Sequence, residues 1–369
     1  MKLSDFSYEL PEDRIAQRPL AERDASRMMV LFRDSGQWKD RFFRELPDLL
    51  CGNELIVVNN ARVLPARLFG QRSGAGSEPP GKQKIIQNDF LTATIEVLLT
   101  RRIASDAGNE IWEALVRPGR KVRVGEHILF GEGALEAEVI GRGELGVRQL
   151  RFFCAGDFQE TVKRLGHIPL PPYIRRPDEP DDSSRYQTIF ARSGSAVAAP
   201  TAGLHFTPQM VERLRQRGAE ICELTLEVGL GTFQPIHEDE IEQHQIHKEN
   251  YEIPEDSAEK IRQARASGRP ILAVGTTVVR ALEDSALAAS QAGDKRLLIG
   301  GRAEAGIYIY PGHSFRVVDQ MLTNFHLPQS SLLVMVAAFA GRERILNAYH
   351  HAITAGYRFY SYGDCMLIR

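Results

Sequence analysis

Apolar and polar positions alternate in three textures along the 369-residue chain. Residues 54–59 (Glu-Leu-Ile-Val-Val-Asn) form a short β-branched run, which predicts a buried strand with Asn59 and Asn60 turning out of it. From Ala66 to Asp157 the runs shorten and alternate, at 91–99, 111–116, 127–130, 135–140 and 147–153. Gly- and Pro-bearing turns separate them and no helical period emerges, the pattern of a small antiparallel barrel or sandwich. Residues 73–84 (Ser-Gly-Ala-Gly-Ser-Glu-Pro-Pro-Gly-Lys-Gln-Lys) read as a flexible excursion within it.

Beyond Gly156 the helical period returns. Helices are expected over 158–165, 208–217, 278–289, 332–340 and 343–354, with a shorter one within 12–17. Thr207 followed by Pro208 supplies a hydroxyl cap and a proline at the first helical position, and Gly218 closes that helix. Strands are expected at 28–32, 224–228, 271–274, 297–300 and 307–310. Helices and strands on both sides of the alternating stretch predict a mixed-sheet α/β domain, residues 1–65 and 158–369. An antiparallel β-barrel domain, residues 66–157, is inserted into it.

Composition adds limits. Hydrophobic residues make up 43% and charged residues 25%, the balance of a globular protein. The formal net charge of −2 means that a polyanion must be held by a local patch rather than by the whole-molecule field. The first residues carry no signal-peptide core, and the longest apolar run, 332–340, is too short to span a bilayer. Cys51, Cys154, Cys222 and Cys365 are scattered without a Cys-x-x-Cys pair, which argues against a zinc knuckle or disulfide framework. A cytoplasmic protein without membrane attachment is expected.

Candidate chemistry concentrates where predicted strands end. Thr201/Gly203, Gly229/Gly231/Thr232 and Gly275/Thr276/Thr277 each combine glycine with a hydroxyl. In open α/β sheets such ends face ligands. None is a dinucleotide fingerprint, since Gly229-Leu-Gly231 lacks the third glycine, and no P-loop lysine follows Gly275. Residues 198–208 set His205 beside Gly203 and just before a helix start, where a histidine can move protons; a cap and a structural imidazole explain the same residues. His237, His244, His247 and Glu249 fall within thirteen residues. On a helix His244 and His247 would share a face and a metal site would be open, but the His-Glu-x-x-His spacing is absent. A base or polar contacts from His247, Glu249 and Tyr251 is the better functional reading. His326 lies on a loop before Ser330/Ser331, and Asp319, Tyr362 and Asp364 add acids and a phenol, although Asp364 after Gly363 suits a turn. No Gly-x-Ser-x-Gly is present and no cysteine adjoins a motif histidine. Arg117, Arg120, Lys121 and Arg123 form a local basic cluster around a Pro-Gly turn.

Nine segments in order resemble one family. They are 5–11 (Asp-Phe-Ser-Tyr-Glu-Leu-Pro), 58–67 (Val-Asn-Asn-Ala-Arg-Val-Leu-Pro-Ala-Arg), 200–207 (Pro-Thr-Ala-Gly-Leu-His-Phe-Thr), 228–233 (Val-Gly-Leu-Gly-Thr-Phe) and 244–251, His-x-x-His-x-Glu-x-Tyr. They continue with 273–280, Ala-Val-Gly-Thr-Thr-x-x-Arg, then Tyr310-Pro-Gly, 323–328 (Thr-Asn-Phe-His-Leu-Pro) and 360–364 (Tyr-Ser-Tyr-Gly-Asp). Together, over residues 5–368, they resemble the S-adenosylmethionine:tRNA ribosyltransferase-isomerase family of the queuosine pathway. The resemblance implies an α/β domain with an inserted barrel. It also implies transfer and isomerisation of the ribosyl group of S-adenosylmethionine onto 7-aminomethyl-7-deazaguanine at the tRNA wobble position. Epoxyqueuosine-tRNA forms, and adenine and methionine leave. Glu227, Glu304-Ala305-Gly306 and His313 depart from the family's usual residues.

That chemistry needs a base for the ribose carbon beside the sulfonium, a group on the departing adenine and an unprotonated attacking amine. His205 and His247 are the leading acid/base candidates, with His326 third. Glu249 or Asp319 is expected to hold the sulfonium or the methionine ammonium. Thr201, Gly203, Gly229, Gly231, Thr232, Gly275, Thr276 and Thr277 are expected to contact the co-substrate. Asn60, Arg62, Arg67, Arg117, Arg120, Lys121 and Arg175 are the candidate tRNA contacts, with Tyr173 or Phe233 stacking on a base. No metal is expected, and the chain is expected to act as a monomer. Two rival classes stand beside this reading: a non-catalytic RNA-binding protein, and a metal-dependent hydrolase using His244, His247 and Glu249.

Overall fold

A computed structural model describes residues 1–73, 94–106, 109–119, 122–143, 146–229, 236 and 238–369. The chain divides into two compact units. One comprises Met1–Arg62, Pro171–Pro177 and Ser184–Arg369; the other comprises Val63–Leu170 and Asp178–Ser183.

The first unit is organised by a nine-stranded sheet. From edge to edge it runs β15 (Gly301–Ala305), β13 (Glu249–Ile253), β12 (Glu220–Leu226), β3 (Leu55–Asn59), β14 (Ile271–Val274), β16 (Gln320–Asn324), β17 (Cys365–Ile368), β1 (Arg27–Leu31) and β2 (Trp38–Phe42). The central strands β12, β3, β14 and β16 are mutually parallel, and antiparallel strands flank them. A separate ribbon pairs β4 (Ala61–Val63) with β11 (Ser193–Ala196).

Successive side chains of a strand point to opposite faces, so a β-branched run with no polar break must be covered twice. Leu55, Val57, Ile271, Ala273 and Met321 enter one core. That core also holds apolar residues of the helices Glu255–Ala266, Thr276–Gln291, Ser331–Ala340 and Arg342–Thr354. Ile56, Val58, Leu272, Val274 and Leu322 enter the other, with Met210, Val211 and Leu214 of the helix Pro208–Gln216. Each such buried Leu, Ile, Val or Met side chain contributes roughly 1.5–3 kcal/mol.

The second unit contains a closed six-stranded barrel in the order β10 (Val147–Cys154), β7 (Asn109–Arg117), β6 (Thr94–Asp106), β5 (Arg67–Ser73), β8 (His127–Phe130) and β9 (Leu135–Arg142). Every neighbouring pair is antiparallel. Alternation is strict along β7, where Trp112, Ala114 and Val116 are buried. Gly70 permits the close approach of β8: a Cβ there would lie 2.6 Å from the Leu129 carbonyl oxygen. Phe158, on a helix capped by Asp157, meets Phe152 with ring centroids 5.2 Å apart.

Three local expectations change, and one open condition is decided. Residues 297–300 and 307–310 are not strands; the strand in that region is β15. The N–H groups of Gly306 and Ile307 donate to the Asp284 carboxylate instead of to a neighbouring strand. The 12–17 segment is helical only as a 3-10 turn, Glu12–Arg14. Residues 244–247 are not helical: the 3-10 turn Ile241–Gln243 ends at His244, which has extended angles, so His244 and His247 share no helix face.

Candidate active site

The carboxyl ends of β14 and β16, with Val228 two residues beyond β12, open on a cavity of about 410 Å³ within the first unit. Each strand end reaches it differently. Gly275 leaves β14 at φ +95° and ψ 152°, a region open only to glycine, and starts the helix Thr276–Gln291 with no side-chain cap. Thr276 and Thr277 at that helix mouth line the cavity. β16 ends at Asn324 and continues through Phe325 and His326 to Ser330, whose hydroxyl accepts from the Leu333 N–H and caps the helix Ser331–Ala340. A 3-10 turn, Thr201–His205, contributes Thr201 and Ala202. Two α-helical N-termini therefore border one cavity beside this turn, an arrangement that favours electron-rich ligand atoms.

Aromatic side chains supply another wall. Tyr173 and Tyr360 stack with centroids 4.3 Å apart, and the Tyr173 hydroxyl hydrogen-bonds Ser361 Oγ at 2.6 Å. Tyr360 sits at φ +71°. Its backbone is held by an N–H bond to the Phe325 carbonyl and by its own carbonyl accepting from Asn324 Nδ2 at 3.0 Å. Arg175 also lines the cavity and pairs with Glu12 through two bonds of 2.9 and 3.0 Å. Among the described residues, no carboxylate lines the cavity.

The three candidate imidazoles are in different surroundings. His326 lines the cavity, with Nε2 2.7 Å from Thr323 Oγ1; burial pushes its pKa down to about 3. His205 does not line it. That ring is buried behind it, with Nδ1 2.9 Å from Ser26 Oγ and Nε2 3.3 Å from Asn324 Nδ2. Burial, then the charges of Arg23 and Arg358, push it down to about 4. His247 is exposed, and its carbonyl accepts from Arg280.

The carboxylates expected to hold positive charge are committed elsewhere. Glu249 is buried against Arg280 at 2.6 Å, and its other oxygen accepts from the Gly229 N–H at 2.9 Å, so the pair ties down the turn after β12. Asp319 precedes β16, at the end of the strand away from the cavity, and accepts from Arg265 and from the Ile271 N–H. Gly203 is buried in the 3-10 turn, where a Cβ would meet Thr188 Cγ2 at 2.9 Å. Gly231, Thr232, Phe233 and His237 lie outside the described residues, as do Arg120 and Lys121. Asp364 accepts the Arg27 and Arg358 N–H groups, the turn role its position suggests.

Of the candidate tRNA contacts, Arg62 and Arg117 are exposed. Asn60 is spent on Glu223 and Thr225, while Arg67 bonds Glu96 and the Leu170 carbonyl. Among the described residues no group of three or more His, Cys, Asp or Glu is placed to hold a metal ion, and no helix is long and apolar enough to cross a membrane. Sequence reasoning missed Asn324 and Tyr360 as cavity residues, although both lie in the family motifs 323–328 and 360–364. It also missed Arg280 as the partner that fixes Glu249.

Fold and cavity define an α/β protein with a cavity at the carboxyl ends of parallel strands, where open α/β sheets take ligands, carrying a separate closed barrel. The chain belongs to the queuosine biosynthesis protein family, whose profile matches residues 3–368. It is 52% identical, over the whole of both chains, to the S-adenosylmethionine:tRNA ribosyltransferase-isomerase of Solibacter usitatus. It is 46% identical, again over both full lengths, to the protein of that name from Desulfitobacterium hafniense. The crystal structure of S-adenosylmethionine tRNA ribosyltransferase from Thermotoga maritima is similar, with a TM-score of 0.52 and 36% identity. That match covers 99% of this chain and 100% of the other.

Proposed function

We propose that this chain is an S-adenosylmethionine:tRNA ribosyltransferase-isomerase. In this reading it moves the ribosyl group of S-adenosylmethionine to the amine of 7-aminomethyl-7-deazaguanine in tRNA and isomerises it to the epoxycyclopentanediol of epoxyqueuosine. The observation that carries the reading is the cavity itself. It gathers Thr201, Val228, Gly275, His326 and Tyr360 from five motif segments far apart in the chain.

The sulfonium acidifies the adjacent ribose carbon, a base takes its proton, and the substrate amine bonds to the sugar. The amine and the carbanion both bond to the anomeric carbon, which gives up adenine with the C–N electron pair, and the ring oxygen shifts from that carbon to the one that bore sulfur, closing the epoxide as methionine leaves with the C–S pair. His326 is the candidate for the proton transfer, as the imidazole on the cavity wall. Burial keeps it neutral, hence unprotonated at the outset. It is a weak base there, and the charge pair formed with the developing carbanion offsets part of the desolvation that weakens it. The sulfonium is held by tyrosine faces and carbonyl dipoles rather than by a side-chain carboxylate. Helix N-termini receive the methionine carboxylate. Arg175 at the cavity serves the tRNA backbone, and the site of action is the cytoplasm, where tRNA is modified. No metal takes part.

The test is release of free adenine from S-adenosylmethionine, dependent on tRNA carrying the aminomethyl base and insensitive to a chelator. Tight tRNA binding without adenine release would favour a non-catalytic RNA-binding protein, and loss of turnover on chelation a metal-dependent hydrolase.

A further inference from the structure

Asn324 joins the cavity to the buried His205. Its amide nitrogen donates to the Tyr360 carbonyl at 3.0 Å and to His205 Nε2 at 3.3 Å, with the Asp364 carbonyl at 3.5 Å beyond. Both carbonyls can only accept, so the side-chain nitrogen must face them and the orientation of the carboxamide is fixed. His205 reinforces it: Nε2 accepts from Asn324 while Nδ1–H donates to Ser26 Oγ, one neutral tautomer satisfying both bonds. With the nitrogen used inside the protein, the side-chain oxygen is left over. Asn324 is 2% exposed and lines the cavity, and Oδ1 has no donor among the described residues. A buried acceptor without a partner is destabilising, and native proteins keep few of them away from binding sites.

We propose that Asn324 Oδ1 is a direct contact for an uncharged O–H or N–H donor of the adenosyl group, and that His205 is a positioning residue that holds it in register. This rests on the function proposed above and assigns the motif histidine a different task from acid–base chemistry. His205 is separated from the ligand by Asn324, and its depressed pKa fits a ring that stays neutral and accepts. The ribose hydroxyls and the adenine amine share the donor chemistry required.

The test uses the full-length protein and S-adenosylhomocysteine as a calorimetric probe, beside tRNA-dependent adenine release. Asn324→Ala and His205→Ala should each weaken S-adenosylhomocysteine binding about ten-fold, and the double variant should be no weaker than Asn324→Ala alone. His205→Gln, which restores an acceptor, should recover most of the affinity. The kcat/KM–pH profile of His205→Ala should keep the wild-type shape. Deoxyribose and deaminated analogues then separate the sources: the one whose missing donor makes Asn324→Ala silent names the contact. If His205→Ala does not fold, Ser26→Ala should show a smaller loss of the same binding. Additive losses, wild-type affinity in folded Asn324→Ala, or removal of a pH limb in His205→Ala would overturn the proposal. A wild-type protein that releases adenine but whose Asn324→Ala variant binds normally refutes this inference alone. One that neither binds the probe nor releases adenine refutes both.

Discussion

The side-chain nitrogen of Asn324 donates to His205 Nε2 across 3.3 Å, a bond between residues 119 apart in the chain. It requires a neutral ring, and so ties the fold to pH. His205 and His326 titrate near 6.5 when unfolded but are pushed down to about 4 and about 3 when folded, both by burial. Above pH 6.5 both states are neutral and stability is complete. As pH falls through 6 toward 4, the unfolded chain binds protons that the folded one does not, so stability is lost, with a slope approaching about 2.7 kcal/mol per pH unit for two protons. Urea melts across this range should show it, and His326→Gln should roughly halve the slope. A curve flat from pH 6.5 to 5 would count against both buried rings.

Breaking the Glu249–Arg280 pair should be severe. Both side chains are almost fully buried, and Arg280 also donates to the Ala305 carbonyl at 2.8 Å. Glu249→Ala leaves a buried guanidinium charge unpaired, at a cost of about 3–5 kcal/mol, whereas an apolar pair of similar volume at both positions should lose much less. Denaturant midpoints of the single and double variants measure the difference.

Gly275→Ala should destabilise through the backbone. A Cβ would find ordinary contacts 3.6 Å away at Ala202 and Thr277, so crowding is not the issue; φ +95° is. The expected loss is about 1–3 kcal/mol, read from thermal or urea melts. A variant as stable as the parent would show that this turn relaxes freely.

Arg175 is 67% exposed at the side chain despite its pairing with Glu12. If it meets an RNA phosphate, Arg175→Ala should weaken tRNA binding and lower the slope of log K against log salt by about 0.7–0.9. An unchanged slope would take Arg175 out of the tRNA interface.

Asp319 gives the contrasting case. Its bonds to Arg265 and to the Ile271 N–H lie at the strand end away from the cavity. Asp319→Asn should lower stability by about 1 kcal/mol, since one ion pair is partly exposed, and leave the KM for S-adenosylmethionine within two-fold of the parent. A large KM change would mean that this carboxylate reaches the co-substrate.

Much of this protein was legible because local rules and tertiary demands coincide. The run Leu55–Asn59 has β-branched residues on both faces and is a strand covered on both sides. Thr207-Pro208 opens a helix with the hydroxyl accepting from the Met210 N–H. The alternating runs after Ala66 are barrel strands, since a closed sheet enforces a period of two. The segment 307–310 misled, because its alternating Ile307 and Ile309 are buried in a core rather than paired in a ladder.

The candidate site was legible as a set of motifs and not as an arrangement. Sequence by itself determined most of the elements, the family and the polar residues available, since propensity, capping and side-chain period act over a few neighbours. Tertiary structure alone decided that His326 faces the cavity, that His205 stands one hydrogen bond behind it, and that Glu249 answers to Arg280. Those outcomes depend on which distant groups share a desolvated space, where a charge must find its partner and a ring its hydrogen bonds. No local pattern encodes that pairing.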